Sequence, residues 1–212
     1  EGTPGSQNGG RFLQCTNVSG SGLVSNNSLE LWIRDYLTPG QGCIDVSGNC
    51  AVENNSIYVG QGNGIILRDG ASARGNYLYN IDCQNLNDAG IWVATGSNFD
   101  VTNNVIDMDS CGTAGCLGID VDSSVAHSDF AITGNRVLNL GTAQGGIDVG
   151  NSSSTRGSVT GNTIEHKTTG ASFGSISIDS SRTTVTGNVV RNAHTALDLN
   201  GTFNNVNGNH FH

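Results

Sequence analysis

Three aspartates stand in a pattern that could carry chemistry. Asp120 is the middle residue of Ile119-Asp120-Val121, Asp148 is the middle residue of Ile147-Asp148-Val149, and Asp122 lies two positions beyond Asp120. In an extended chain successive side chains alternate sides, so each aspartate faces out of a strand whose apolar neighbours face in. If the two strands are adjacent, Asp120 and Asp148 lie about 5 Å apart at the backbone, where like charges repel and one pKa rises. Paired carboxylates can protonate a glycosidic oxygen and stabilise or attack the oxocarbenium-like centre, or share a Ca²⁺ ion through their oxygens. Asp120, Asp148 and Asp122 are therefore the candidate catalytic residues. Ca²⁺ at this cluster is the one metal considered, and no other cofactor is expected. The plain alternative is a solvated acidic face.

Positioning them requires a repeat, and the sequence carries one. An apolar residue, two spacers and an asparagine recur eight times, with the asparagines at Asn27, Asn55, Asn76, Asn104, Asn135, Asn162, Asn188 and Asn209. Their spacings are 28, 21, 28, 31, 27, 26 and 21 residues. A short strand follows each asparagine, with Leu29, Ile57, Leu78, Ile106, Val137, Ile164, Val190 and Phe211 as its inward residue. Another strand precedes it, centred on triplets such as Ile44-Asp45-Val46, Ile91-Trp92-Val93 and Leu197-Asp198-Leu199. A fixed period of this kind marks a solenoid whose coils bury one continuous apolar column. The expected fold is all-β: a parallel β-helix of about eight coils with three short strands per coil and an asparagine ladder in the second turn. Residues 1–212 read as one domain, with 1–14 a lead-in and 15–212 the coils. An asparagine tolerates a left-handed turn, and stacked amides can hydrogen-bond to the coils above and below.

Stacking the triplets predicts an outward row of Asn17, Asp45, Ile66, Trp92, Asp120, Asp148, Ser177 and Asp198. A parallel row two residues along holds Arg68, Ala94, Asp122, Gly150, Asp179 and Asn200. From the first residue of the triplet to the ladder asparagine the count is 11 for Ile44 and Ile65, 13 for Ile91, 16 for Ile119 and 15 for Ile147. The longest first-turn loops thus flank the acidic pair and are expected to bring His127, Asp129 and Arg156 near one edge of it, since variable loops on a rigid scaffold usually carry binding groups. Trp92, Arg68, His127, Arg156 and Asp179 are the candidate substrate-binding residues, with Trp92 a platform for a sugar ring.

Composition narrows the partners. The net charge is −9, with eight arginines and the single lysine Lys167 spread along the chain. Phosphate neutralisation needs clustered positive charge, so neither a nucleic acid nor an anionic membrane surface is expected as a partner. No segment is long and apolar enough for membrane insertion. No signal-peptide pattern opens the sequence, so Glu1 reads as a mature or trimmed start. Six cysteines in a lysine-poor chain point to an oxidising compartment. Cys15 and Cys43 share a position one 28-residue coil apart, as do Cys83 and Cys111. Stacked thiols or cross-coil disulfides could follow, and Cys111–Cys116 is a competing short-loop bridge.

The ladder pattern, as in Val159-Thr160-Gly161-Asn162, resembles the right-handed parallel β-helices of the pectate-lyase-like superfamily, including polysaccharide-active enzymes and phage tailspikes. That resemblance spans nearly the whole chain. It implies that the Ile-Asp-Val triplets form the first strand of each coil, whose outer face carries the binding groove in many family enzymes. The chain departs from those enzymes in lacking the Asn-Thr-Asp and Gly-His-Gly patterns of polygalacturonases and the Asp-Pro-His-Glu of alginate epimerases.

The expectation is an extracellular, secreted or virion-surface β-helix that binds polysaccharide or a cell-surface glycan on this face. If it is an enzyme, the class is glycoside hydrolase or polysaccharide lyase. The alternative is a non-catalytic structural β-helix: a phage spike or decoration protein, an adhesin, or a filament subunit. Because the sequence stops at His212 directly after a ladder strand, an open edge and a homo-oligomer or larger assembly are expected.

Overall fold

The computed structural model describes residues 13–16, 21–31, 42–59, 62–79, 88–109, 115–141, 144–168 and 174–212. Among these residues there are 24 short strands and no helix. The strands form three eight-stranded sheets in which every pairing is parallel, and each coil gives one strand to each sheet. The chain is a right-handed parallel β-helix of eight coils. The first sheet runs through Leu13–Thr16, Gly42–Ser47, Asn63–Arg68, Ala89–Val93, Leu117–Val121, Gly145–Val149, Gly174–Ile178 and Thr195–Leu199.

Alternation decides which side chains line the interior. In the first sheet Ile44, Ile65, Ile91, Ile119, Ile147, Ile176 and Leu197 stack in one inward file. Val46, Leu67, Val93, Val121, Val149, Ile178 and Leu199 stack in a second. From Ile44 to Ile178 all are buried. Each such side chain contributes about 1.5–3 kcal/mol on removal from water. In the last coil the inward files of all three sheets open to solvent, with Leu199, Val206 and Phe211 exposed.

The asparagine ladder is continuous from Asn27 to Asn209. Asn135 shows the pattern: its Nδ2 donates to the Val101 carbonyl at 2.8 Å and to Asn162 Oδ1 at 3.0 Å, and its Oδ1 accepts from the backbone N–H and Nδ2 of Asn104 at 3.0 Å each. Every capacity of this buried amide is met inside the protein, as burial away from solvent requires. The left-handed conformation falls on the residue before the ladder asparagine, where an asparagine or a glycine stands in every coil. Asn26, Asn54, Gly75, Asn103, Gly134, Gly161, Gly187 and Gly208 all have φ between 55° and 67°, the region these two residue types enter most readily. The ladder residue itself stays outside the positive-φ set, which corrects the expectation that it makes the turn.

Two further expectations change. In the first coil Gln14, not Asn17, is the partner of Asp45, and Cys15 pairs with Val46, so it does not stack on Cys43. Asn17, Cys83 and Cys111 lie outside the described residues. Cys43 is a free, buried thiol with its pKa pushed up to about 12 by burial.

The long first turns also behave differently from the loop reading. Their extra residues lengthen the second-sheet strands to Ser128–Thr133 and Thr155–Thr160, six residues each against three for Ala51–Glu53. Phe99 and Phe130 continue the inward alternation of Val101 and Ile132, and their rings stack 5.4 Å apart at 5°. Phe130 lies opposite Gly157, where a Cβ would overlap its ring. Coils four to six are wider because this aromatic layer fills them.

Candidate functional site

From the second coil to the last, the outward row of the first sheet follows the predicted order. Asp45, Ile66, Trp92, Asp120, Asp148, Ser177 and Asp198 are successive Cα partners on parallel strands. Accessibility divides the row. Ile66 is completely buried and Asp45 is 3% exposed, so an outward position in the register is not an open one there. Trp92, Asp120, Asp148 and Ser177 are half-buried and Asp198 is exposed. The accessible face therefore begins at Trp92.

Asp120 and Asp148 meet directly across two strands, with Asp122 at the end of the Asp120 strand. Neighbouring parallel strands lie about 4.8 Å apart. Burial pushes the Asp120 carboxyl up to about 7, and the charges of Asp148 and Asp122 push the same way. Asp148 is also raised, by burial first; a hydrogen bond with Ser177 works against that shift, and the charges of Asp179 and Asp198 add to it. Asp122 Oδ1 accepts the Ser124 N–H at 2.6 Å. Near neutrality Asp120 can hold a proton beside a second carboxyl, which is the condition for one group to donate while its neighbour accepts.

Arg68 and Trp92 are brought together, though chiefly with each other. The Arg68 guanidinium lies 5.7 Å from the centre of the Trp92 ring. Arg68 Nε donates to Asp45 Oδ1 at 3.1 Å. One face of the indole thus carries a cation, leaving only the rest of the ring as a platform. Asp179 Oδ1 accepts Asn200 Nδ2 at 2.9 Å, at the edge of the acidic row.

His127 is buried behind the row rather than on its open face, and Arg156 is placed away from it. His127 is 1% exposed, with Nδ1 at 2.6 Å from the Gly96 carbonyl, Nε2 at 3.3 Å from the Asp122 carbonyl, and its ring edge-on to Phe99. It packs the wide coils from within. Arg156 stands on the second sheet in a two-pronged pair with Asp129, both bonds at 2.7 Å. Among the described residues no group of three His, Cys, Asp or Glu side chains is arranged to hold a metal ion, the three aspartates included. No described helix is long and apolar enough to cross a membrane.

Two features lay outside the residue-by-residue reading. Ser177 was visible in the outward row, but its hydrogen bond to Asp148 depends on side-chain geometry. An aromatic cluster of Tyr58, Tyr77 and Tyr79 occupies the third sheet. Its signal was tyrosine at outward positions of consecutive third strands, Ser56–Val59 and Tyr77–Tyr79.

No protein-family model matches the sequence, and no curated protein does. Among solved structures the chain is similar to the Streptococcus pneumoniae surface protein and adhesin PfbA, at 11% identity and a TM-score of 0.28, covering 79% of this chain and 68% of that one. So slight a likeness bears no argument about function, and the fold rests on the three parallel sheets.

Proposed function

We propose that this chain is a surface or secreted β-helix that engages a polysaccharide along the first-sheet face from Trp92 to Asp198, centred on Asp120 and Asp148. The observation that carries the reading is the in-register pair: two half-buried carboxyls on adjacent strands, one with its pKa at about 7. A protonated carboxyl donates to a sugar oxygen, while Asp148, Asp122 and Ser177 can accept from sugar hydroxyls. The uncovered part of the Trp92 ring supplies an apolar surface at one end of the row.

The same pair favours cleavage as a second reading. With Asp120 as proton donor and Asp148 as the carboxylate facing the anomeric centre, the arrangement suits glycoside hydrolysis.

A glycan array on the 212-residue chain, repeated with the Asp120→Asn, Asp148→Asn double variant, tests the binding reading. We expect specific binding that drops at least tenfold in the variant. Unchanged binding across the array would overturn the assignment of this face. For hydrolysis, reducing ends should appear with the bound glycan and their rate should decline above pH 7, as Asp120 loses its proton. Binding without any release of reducing ends eliminates the second reading and leaves the first.

A further inference from the structure

The third sheet carries a second concentration of chemistry, separate from the acidic row. Its strands Ser56–Val59 and Tyr77–Tyr79 pair in register, with Ser56 beside Tyr77 and Tyr58 beside Tyr79. The Tyr58 and Tyr79 rings meet edge to face, 5.2 Å apart at 76°. Tyr77 and Tyr79, on one strand, lie 5.3 Å apart at 15°. Two nearly parallel rings and one perpendicular to them make an aromatic corner. Tyr77 is 45% exposed, well above what a packed aromatic side chain shows.

The charge beside this corner is negative. Val105 pairs with Tyr77 and Ile106 with Leu78, so Asp107 comes next in the Tyr79 file, one coil on and on the same face. Asp107 Oδ1 accepts Asn139 Nδ2 at 2.8 Å and the Asp109 N–H at 3.1 Å, both neutral donors. Among the described residues Lys167 pairs with Asp109 and Arg74 with Glu53 and Asp100, while Arg136, on the next strand beside Val105, forms no ion pair with Asp107.

The geometry points to a binding site for an organic ammonium ion, built from Tyr58, Tyr77, Tyr79 and Asp107. Aromatic ring faces carry negative quadrupole potential and attract a cation lying within about 6 Å of the ring centre. A carboxylate next to them favours positive charge over a neutral ring or alkyl group. An alkylammonium group matches both features, because its methyl or methylene surface covers the rings while its charge faces Asp107.

Tetramethylammonium is the probe, followed through the ring resonances of tyrosine-labelled protein. We expect saturable shifts confined to Tyr58, Tyr77 and Tyr79, with a dissociation constant in the millimolar range. The affinity should fall at least tenfold in Tyr77→Leu, stay within twofold in Tyr77→Phe, and weaken severalfold in Asp107→Asn. Tyr77 is exposed, so these variants keep the fold, and circular dichroism checks that they do. Equal shifts with potassium chloride at the same ionic strength would show unspecific charge screening and overturn the proposal. So would equal shifts with tert-butanol, a neutral group of similar shape, which would mark a plain apolar patch.

Discussion

Asp120 and Asp148 are paired residues on adjacent strands, yet their surroundings differ. Asp120 has Trp92 on its other side and Asp122 on its own strand, whereas Asp148 has Ser177 on its other side. No hydrogen bond offsets the burial of the Asp120 carboxyl, whereas the Ser177 hydroxyl donates to Asp148. The asymmetry accounts for Asp120 as the group that holds its proton longer.

That proton makes stability depend on pH. The folded Asp120 carboxyl titrates at about 7, against 3.8 as the ordinary value. Between those values the folded state binds a proton that the unfolded state has released, so stability falls as pH rises through the window. Asp120→Asn removes the effect. Urea denaturation should show the variant more stable than wild type by about 1–3 kcal/mol at pH 8, with an upper bound of about 4 kcal/mol, and nearly equal to it at pH 4. A variant less stable at pH 8 would contradict the raised pKa.

The ladder predicts a larger effect from a smaller change. Asn135→Ala deletes both donors and the acceptor of a fully buried amide. It removes the partner of the Val101 carbonyl and of the Asn104 N–H, and one of the two acceptors of Asn104 Nδ2, which keeps the Ala73 carbonyl. Each stranded buried group costs about 1–3 kcal/mol, so a loss of about 3–5 kcal/mol in thermal or urea unfolding is expected. The equivalent change at Asn209, half-buried in the last coil, should cost less than half of that.

Much of this could be read from the chain because a solenoid repeats its physical problem in every coil. The Ile-Asp-Val triplets and the ladder asparagines each answer it in the same phase, so the register from Asp45 to Asp198 followed from spacing. The first coil lacks such a triplet. A 28-residue match of Cys15 to Cys43 stood in for it, and the true partner, Val46, lies three residues further on. Loop length proved ambiguous for a different reason: a count of residues does not say whether they go out or in. Phe99 and Phe130 held that information, since each stands two before an inward Val101 or Ile132. Burial of Asp45 and Ile66, and the guanidinium over Trp92, are contacts between coils that no one-dimensional pattern encodes.

The aromatic layer can be tested at Gly157, whose side-chain space the Phe130 ring fills. Gly157 faces Phe130 across the second sheet, and a methyl group there meets the ring at less than contact distance. Gly157→Ala should therefore destabilise the protein by about 1–3 kcal/mol, the usual cost of overfilling a packed core. Phe130→Leu alone leaves a cavity and is expected to cost a similar amount. Combined, the two should cost less than their sum, because the smaller leucine makes room for the methyl. Strict additivity in a double-mutant cycle would show that the two positions do not share the space.

His166 sets the acid limit of the fold. Its ring is 1% exposed, with Nε2 at 2.8 Å from Ser175 Oγ and Nδ1 at 3.4 Å from the Gly141 carbonyl. Burial lowers its pKa, and the contact with the Gly141 carbonyl only partly opposes that. Below its ordinary value of 6.5 the unfolded chain takes up a proton that the folded chain refuses, so stability is lost as pH falls from there to the folded pKa. The slope cannot exceed about 1.4 kcal/mol per pH unit for one group. This trend runs opposite to that of Asp120, so as pH falls from 6.5 toward 5 the two slopes oppose each other in the wild type. His166→Gln should expose the Asp120 slope and make the protein steadily more stable toward pH 5. Asp120→Asn should expose the histidine slope, with stability falling toward pH 5. Urea midpoints for both variants across that range measure the two slopes separately, and parallel profiles would rule out the opposing pair.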